Sequence, residues 1–221
     1  KRLTACVSQV LADHARRERA ELCELFLELG PDEPTLCGDW TTRDLAAHLV
    51  VRERRPDAAI GIIVSKAAGY TDKVQAGVAD TEWTELVDTV RSGPPIWSPT
   101  KIAKVDELAN TVEFFVHLED VRRAQPTWEP RSLDDDLTDM LYKVLGTMAK
   151  RLVKGSEVGI VLEPTDGHEP IVAKDAEPSV TVRGEVGELV MFVYGRQDHS
   201  KVELFGDDAS VAAVNAAEFG I

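Results

Sequence analysis

Four segments in the first 153 residues repeat their apolar side chains at helical spacing, and prolines or glycines interrupt the chain between them. Leu3, Val7, Val10, Leu11, Leu22, Leu25, Phe26 and Leu29 mark the first segment, which GPDEP at 30–34 closes. The second opens at Thr41, a suitable N-cap. Asp44 follows three residues later as a capping-box acid, and Trp40 and Leu45 are spaced as a hydrophobic staple. It runs to Arg54, because Pro56 removes a donor and disfavours helix at the residue before it. A further helical stretch is expected near 57–68, then a short helix at 81–91 and a break at SGPPIWSP, 92–99. A third long helix, 101–124, carries Ile102, Val105, Leu108, Ala109, Val112, Val116 and Val121 on its apolar face and stops at Pro126. The fourth, 133–153, opens with Ser132 and three aspartates, which favour the positive end of a helix. Four long helices joined by breaks predict an antiparallel four-helix bundle over 1–153.

After Lys154 the texture changes. EVGIVLEP (157–164), SVTVRG (179–184) and KVELFG (201–206) read as strands, and 185–195 and 208–219 as helices. The expected fold class is therefore α+β and mainly α, with a helix-bundle domain at 1–153 and a small α+β module at 154–221. The net charge of −14 spreads over both parts: 154–221 alone carries 5 basic against 13 acidic residues. Neither part has the positive field that nucleic-acid binding needs, and RERR at 52–55 reads as a solvated helix end. No apolar run approaches the roughly 20 residues of a membrane span. Three cysteines without CxxC spacing, Cys6, Cys23 and Cys37, fit free thiols in a reducing cytoplasm. The expectation is a cytoplasmic monomer or homodimer with no nucleic-acid or membrane partner.

Candidate chemistry gathers on two of the helices. His48 sits in the apolar run LAAHLVV, and Glu113 and His117 lie four residues apart in VEFFVHLEDV, about 40° apart around the axis. Two ligands from one helix and one from a neighbour can converge on a divalent transition metal such as zinc. Three protein ligands leave a fourth position for water or substrate. Asp120, three residues after His117, is placed to orient that imidazole. Spacing alone equally allows a packed core histidine at 48 and an ordinary i,i+4 pair at 113 and 117. His14 reads as a surface residue beside RRER, His168 and His199 fall in turns, and Cys37 reads as a fourth ligand, a reactive thiol or a buried structural cysteine. Neither a phosphate loop nor a GxSxG elbow occurs.

CGDWTTRDLAAHLV (37–50) resembles the W-T-x-x-D-x-x-x-H helix start of the DinB-like metal-binding bundles, in the branch typified by mycothiol-dependent maleylpyruvate isomerase. EFFVHLEDVRRA (113–124) is similar to that branch's E-x-x-x-H-x-x-D helix, and 182–214 to its C-terminal module. The stretch 56–100 matches least. The resemblance implies that His48, Glu113 and His117 bind Zn2+, or Ni2+ or Fe2+ through the same donors, and that Asp120 is the motif's acid. It also implies that Arg196 reaches the thiol cofactor or substrate.

The function implied is a metal-dependent enzyme that uses mycothiol, a low-molecular-weight thiol, on an electrophilic small molecule, as an isomerase or an S-transferase. Two other classes compete: a thiol-independent metal hydrolase, and a non-enzymatic protein whose metal is closed in by a fourth ligand, Cys37 or Asp120.

Overall fold

A computed structural model of the chain describes residues 2–58, 68–95 and 105–220, with the side-chain surroundings of 14–58, 69–95 and 108–220. The expected helical stretch at 59–67, Ile102, and the side chains of Leu3, Cys6, Val7, Val10, Leu11 and Val105 lie outside the described part. Two compact units divide the chain, Lys1–Trp128 and Glu129–Ile221.

The first unit is helical. α1 (Arg2–Leu29) ends at Gly30, whose φ of 88° lets its N–H return to the Phe26 carbonyl at 3.0 Å. α2 (Thr42–Arg54) starts as expected, with both halves of the Thr41–Asp44 capping box formed. α3 (Ala68–Ala79) and α4 (Trp83–Ser92) follow, and α5 (Val105–Arg123) completes the unit. α1 packs along α5, and α4 packs on both α1 and α2. Leu22 and Phe26, Leu45 and Leu49, Leu86 and Val90, and Phe114 and Leu118 meet in one core. α4 thus supplies core residues, although its segment reads in the sequence as part of an excursion between core helices. On α5 the expected face is buried at Val112, Val116 and Val121, while Ala109 is exposed.

RERR is not a solvated helix end. Glu53 is 3% exposed and accepts from the buried Arg19 Nη1 at 2.7 Å, and Arg19 also donates to the Val90 carbonyl and lies over the Phe114 ring. One buried cation therefore ties α1, α2, α4 and α5 together. Arg54 reaches the Gly93 carbonyl and the Ser92 hydroxyl, and Arg55 pairs with Asp57 at the surface. His14 is likewise buried rather than superficial, and neither of its ring nitrogens has a hydrogen-bond partner among the described residues.

The second unit begins with α6 (Asp135–Leu152), capped by Asp134, not Ser132, through a bond from the Leu137 N–H. α6, expected as the fourth helix of a 1–153 bundle, packs here on a strand and a helix of this unit. These are β2 (Ile171–Lys174) and α7 (Val186–Val193). With β1 (Gly159–Pro164), β3 (Ser179–Gly184) and β4 (Glu203–Phe205), β2 forms a sheet ordered β2-β1-β3-β4, parallel between β1 and β3 and antiparallel elsewhere. Ile160, Leu162, Val180 and Val182 are buried, and every residue of α7 is buried. Gly159 opens β1 where a Cβ would come 2.1 Å from the Ala176 carbonyl oxygen. α8 (Asp208–Ala216) packs on β3. The chain is mainly α with a small sheet, as expected; β2 is a strand the sequence reading did not foresee.

Candidate metal centre

The capping box fixes where α2 begins, and so fixes His48 two turns in, on a helix whose surroundings are almost wholly buried. Trp40, just before the cap, packs on the core that holds Leu45 and stacks at 5.0 Å on the His48 ring. α5 presents Glu113 and His117 on one face, one turn apart. His48, Glu113 and His117 converge, with one donor atom from each lying within 4.8 Å of the other two.

Glu113 Oε1 is 3.7 Å from His48 Nε2 and 3.3 Å from His117 Nε2, and the two rings meet edge to face at 5.5 Å. Tetrahedral coordination with bonds of about 2.0–2.2 Å separates neighbouring donors by about 3.4 Å, so both distances suit one ion between the three atoms. The His48 and His117 side chains are 9% and 12% exposed and that of Glu113 is 26%, so the carboxylate marks the open side.

Asp120, fully buried, meets His117 Nδ1 at 3.0 Å through Oδ2, and the Cys37 thiol donates to the same oxygen at 3.1 Å. A carboxylate on Nδ1 leaves Nε2 to face the cluster, the usual arrangement behind a metal-bound histidine. Cys37 lies 3.8 Å from Nδ1. The two imidazole nitrogens point away from each other, so neither Cys37 nor Asp120 can be a fourth ligand to an ion at Nε2.

Arg52 is the residue that sequence reasoning missed. Its Nε lies 3.1 Å from Glu113 Oε1, and its Nη1 donates to Asn110 Oδ1 at 2.8 Å. The available signal was its position four residues after His48, on the same face of α2.

Burial lowers the His48 pKa, with the Glu113 hydrogen bond offsetting only part of the effect, so this imidazole is neutral. Burial raises that of Glu113, but hydrogen bonds from His117 and His48 and the nearby Arg52 charge outweigh it and hold the carboxyl well below its usual range. Burial lowers His117 in turn, and Asp120, Cys37 and Glu113 overcome that and hold it well above the usual histidine value. An ion at this position would therefore compete with a proton for His117.

The other candidates lie elsewhere in the fold. Arg196 belongs to the second unit, where Nη1 donates to the Tyr194 carbonyl at 2.5 Å. His199 ends a single 3-10 turn at 197–199. His168 bridges Asp166 at 2.8 Å and Asp139 at 3.0 Å, stacks on Tyr142 at 4.3 Å, and lines an open cavity of about 700 Å³ with Arg131, Asp135 and Glu185.

At the level of sequence, no family model matches the chain and no curated protein is significantly similar. Solved structures are similar in fold. A crystal structure of mycothiol-dependent maleylpyruvate isomerase shares it with a TM-score of 0.64 and 13% identity, over 90% of this chain and 94% of that one. A histidine-to-alanine mutant of that enzyme matches with a TM-score of 0.65, at the same identity and coverage. The likeness drawn from the three motifs thus holds for the fold across nearly the whole chain.

Proposed function

We propose that the chain is a metal-dependent enzyme acting with a low-molecular-weight thiol, of the isomerase type, and that His48, Glu113 and His117 are its ligand set. The convergence of these three donor atoms, with Glu113 Oε1 near tetrahedral donor spacing from both imidazoles, carries the proposal. Two imidazoles and a carboxylate suit Zn2+, and Ni2+ or Fe2+ fit the same donors. When bound, such a cation supplies Lewis acidity that favours thiolate over thiol at neutral pH.

The chain's own residues do the rest. Asp120 holds the hydrogen on His117 Nδ1 and so keeps Nε2 turned toward the site. Trp40 packs against His48 and fixes its ring. Arg52 keeps a positive charge beside Glu113, where an anionic thiol or substrate would be attracted. Arg196 is proposed as a contact to the thiol or substrate.

A thiolate that adds to an electrophilic carbon and later departs isomerises a neighbouring double bond; one that displaces a leaving group and stays gives S-transfer. The names of the fold neighbours favour the first and favour mycothiol as the thiol. No helix among the described residues is long and apolar enough to cross a membrane, and Cys23 and Cys37 are free thiols, which agrees with action in the cytoplasm.

Elemental analysis of purified protein tests the ligand set. Wild type should hold one divalent ion per chain and His117→Ala close to none; metal-free wild type, or a variant that retains the ion, would refute it. Isomerisation of maleylpyruvate assayed with and without mycothiol separates this reading from a hydrolase. An absolute need for thiol supports the isomerase, and cleavage of esters or amides without thiol favours the hydrolase.

A further inference from the structure

His117 meets a different donor group at each ring nitrogen. Around Nε2 stand His48 and Glu113; around Nδ1 stand Cys37 and Asp120. The second group is a triangle with edges of 3.8 Å from Sγ to Nδ1, 3.1 Å from Sγ to the Asp120 oxygen and 3.0 Å from that oxygen to Nδ1. A tetrahedral ion of the size of zinc, with a bond of about 2.3 Å to sulfur and about 2.0–2.2 Å to nitrogen and oxygen, needs edges of about 3.4–3.6 Å. Each observed edge is within about 0.5 Å of that. Thiolate with imidazole and carboxylate is a donor set for thiophilic cations.

The loop carrying Cys37 is tied in place. Leu36 N–H donates to the Asp120 carbonyl at 3.1 Å, which joins the loop to α5 beside the site. Cys37 N–H donates to the Thr35 hydroxyl at 3.1 Å, and that hydroxyl donates to the Trp40 carbonyl at 2.8 Å.

We propose that Cys37, Asp120 and His117 Nδ1 form a second cation site, selective for thiophilic ions such as Cd2+, whose filling excludes an ion from Nε2 of the same ring. A neutral imidazole has one lone-pair nitrogen. An ion at Nε2 leaves the hydrogen on Nδ1, facing Asp120; an ion at Nδ1 leaves it on Nε2, facing Glu113 Oε1 at 3.3 Å. On filling the second site the Cys37 thiol and His117 Nδ1 each release a proton to water, bonds form from sulfur, nitrogen and oxygen to the ion, and the hydrogen on Nε2 remains donated to Glu113. The two sites thus use opposite tautomers, and a thiophilic ion switches the first centre off. The exclusion rests on the ligand set proposed above; the second site itself does not.

Cd2+ titration of the metal-free full chain tests this, followed by thiolate-to-cadmium ultraviolet absorption and by equilibrium dialysis. Wild type should bind one Cd2+ per chain with a thiolate band. Cys37→Ser should lose the band, His48→Ala should keep it, and Asp120→Asn should keep it with affinity at least tenfold weaker. Circular dichroism confirms folding, and Cys37→Ala serves if the serine variant unfolds. The second site is overturned by Cd2+ binding without a thiolate band, by a band unchanged in Cys37→Ser, or by its loss in His48→Ala. Two Cd2+ per chain overturn the exclusion. Failure of the first ligand set alone looks different: wild type takes no Zn2+ yet keeps the cadmium band.

Discussion

Cys23 and Cys37 differ in what sets thiol reactivity. Cys23 is fully buried, and burial pushes its thiol up to about 11 even against the charges of Arg91 and Arg19. Cys37 is half-buried in the loop beside Asp120. Iodoacetamide on the native protein at pH 8 should therefore label Cys37 and spare Cys23, read from the masses of the tryptic peptides; equal labelling would contradict the buried environment of Cys23. Arg52 supports a second prediction. Its guanidinium opposes a cation on Glu113, and a partly exposed ion pair is worth about 0.2–1 kcal/mol. Arg52→Ala should therefore tighten Zn2+ binding by up to roughly five-fold, measured by competition with a chelator, whereas weaker binding would show that Arg52 instead supports the site. His48, Glu113 and His117 were legible because ligand chemistry and helical spacing are both local. Cys37 faces Asp120 from a sequence separation of 83, and only the folded loop makes them neighbours.

Among the elements, α2 was the clearest in the sequence because its start is written in side-chain hydrogen bonds. Thr41 and Asp44 cap it reciprocally, and Trp40 packs on the core behind them. Thr41→Ala should cost about 1 kcal/mol of stability, measured by urea unfolding, and should weaken metal binding because the first turn sets the depth of His48. An unchanged metal affinity would show that packing alone holds His48 in place. The same local chemistry misled at α6, where serine and aspartate both suit an N-cap and Asp134 takes it. β2 escaped notice because four residues after a proline carry too little alternation to stand out. The partnership of β1 with β3 was equally hidden, since a parallel pair joins segments that no turn connects. α4 was visible as a helix, but its role in the core depends on the faces α1 and α2 offer it.

For the molecule as a whole, a fold shared at 13% identity shows how little of the architecture depends on particular core side chains. The polar groups of the two units should also give the chain opposing pH dependences. In the second unit, Asp166 and then Asp139 raise the pKa of His168 above 6.5. That group binds its proton more tightly when folded, so its contribution to stability is complete below about pH 6.5 and is lost as pH rises through the raised value. In the first unit, a metal at the proposed site would have to displace a proton that His117 holds tightly, so its affinity, and the stability it adds, should grow with pH. A chelator separates the two. With chelator present, His168→Asn should be less stable than wild type at pH 5–6, and the two should converge toward pH 9. The stability that saturating Zn2+ adds over the chelator condition should grow from pH 6 to pH 8 by the same increment in both proteins. Thermal unfolding of both proteins across this range measures each effect. A constant gap between them in chelator would show that His168 acts through packing on Tyr142 rather than through its charge.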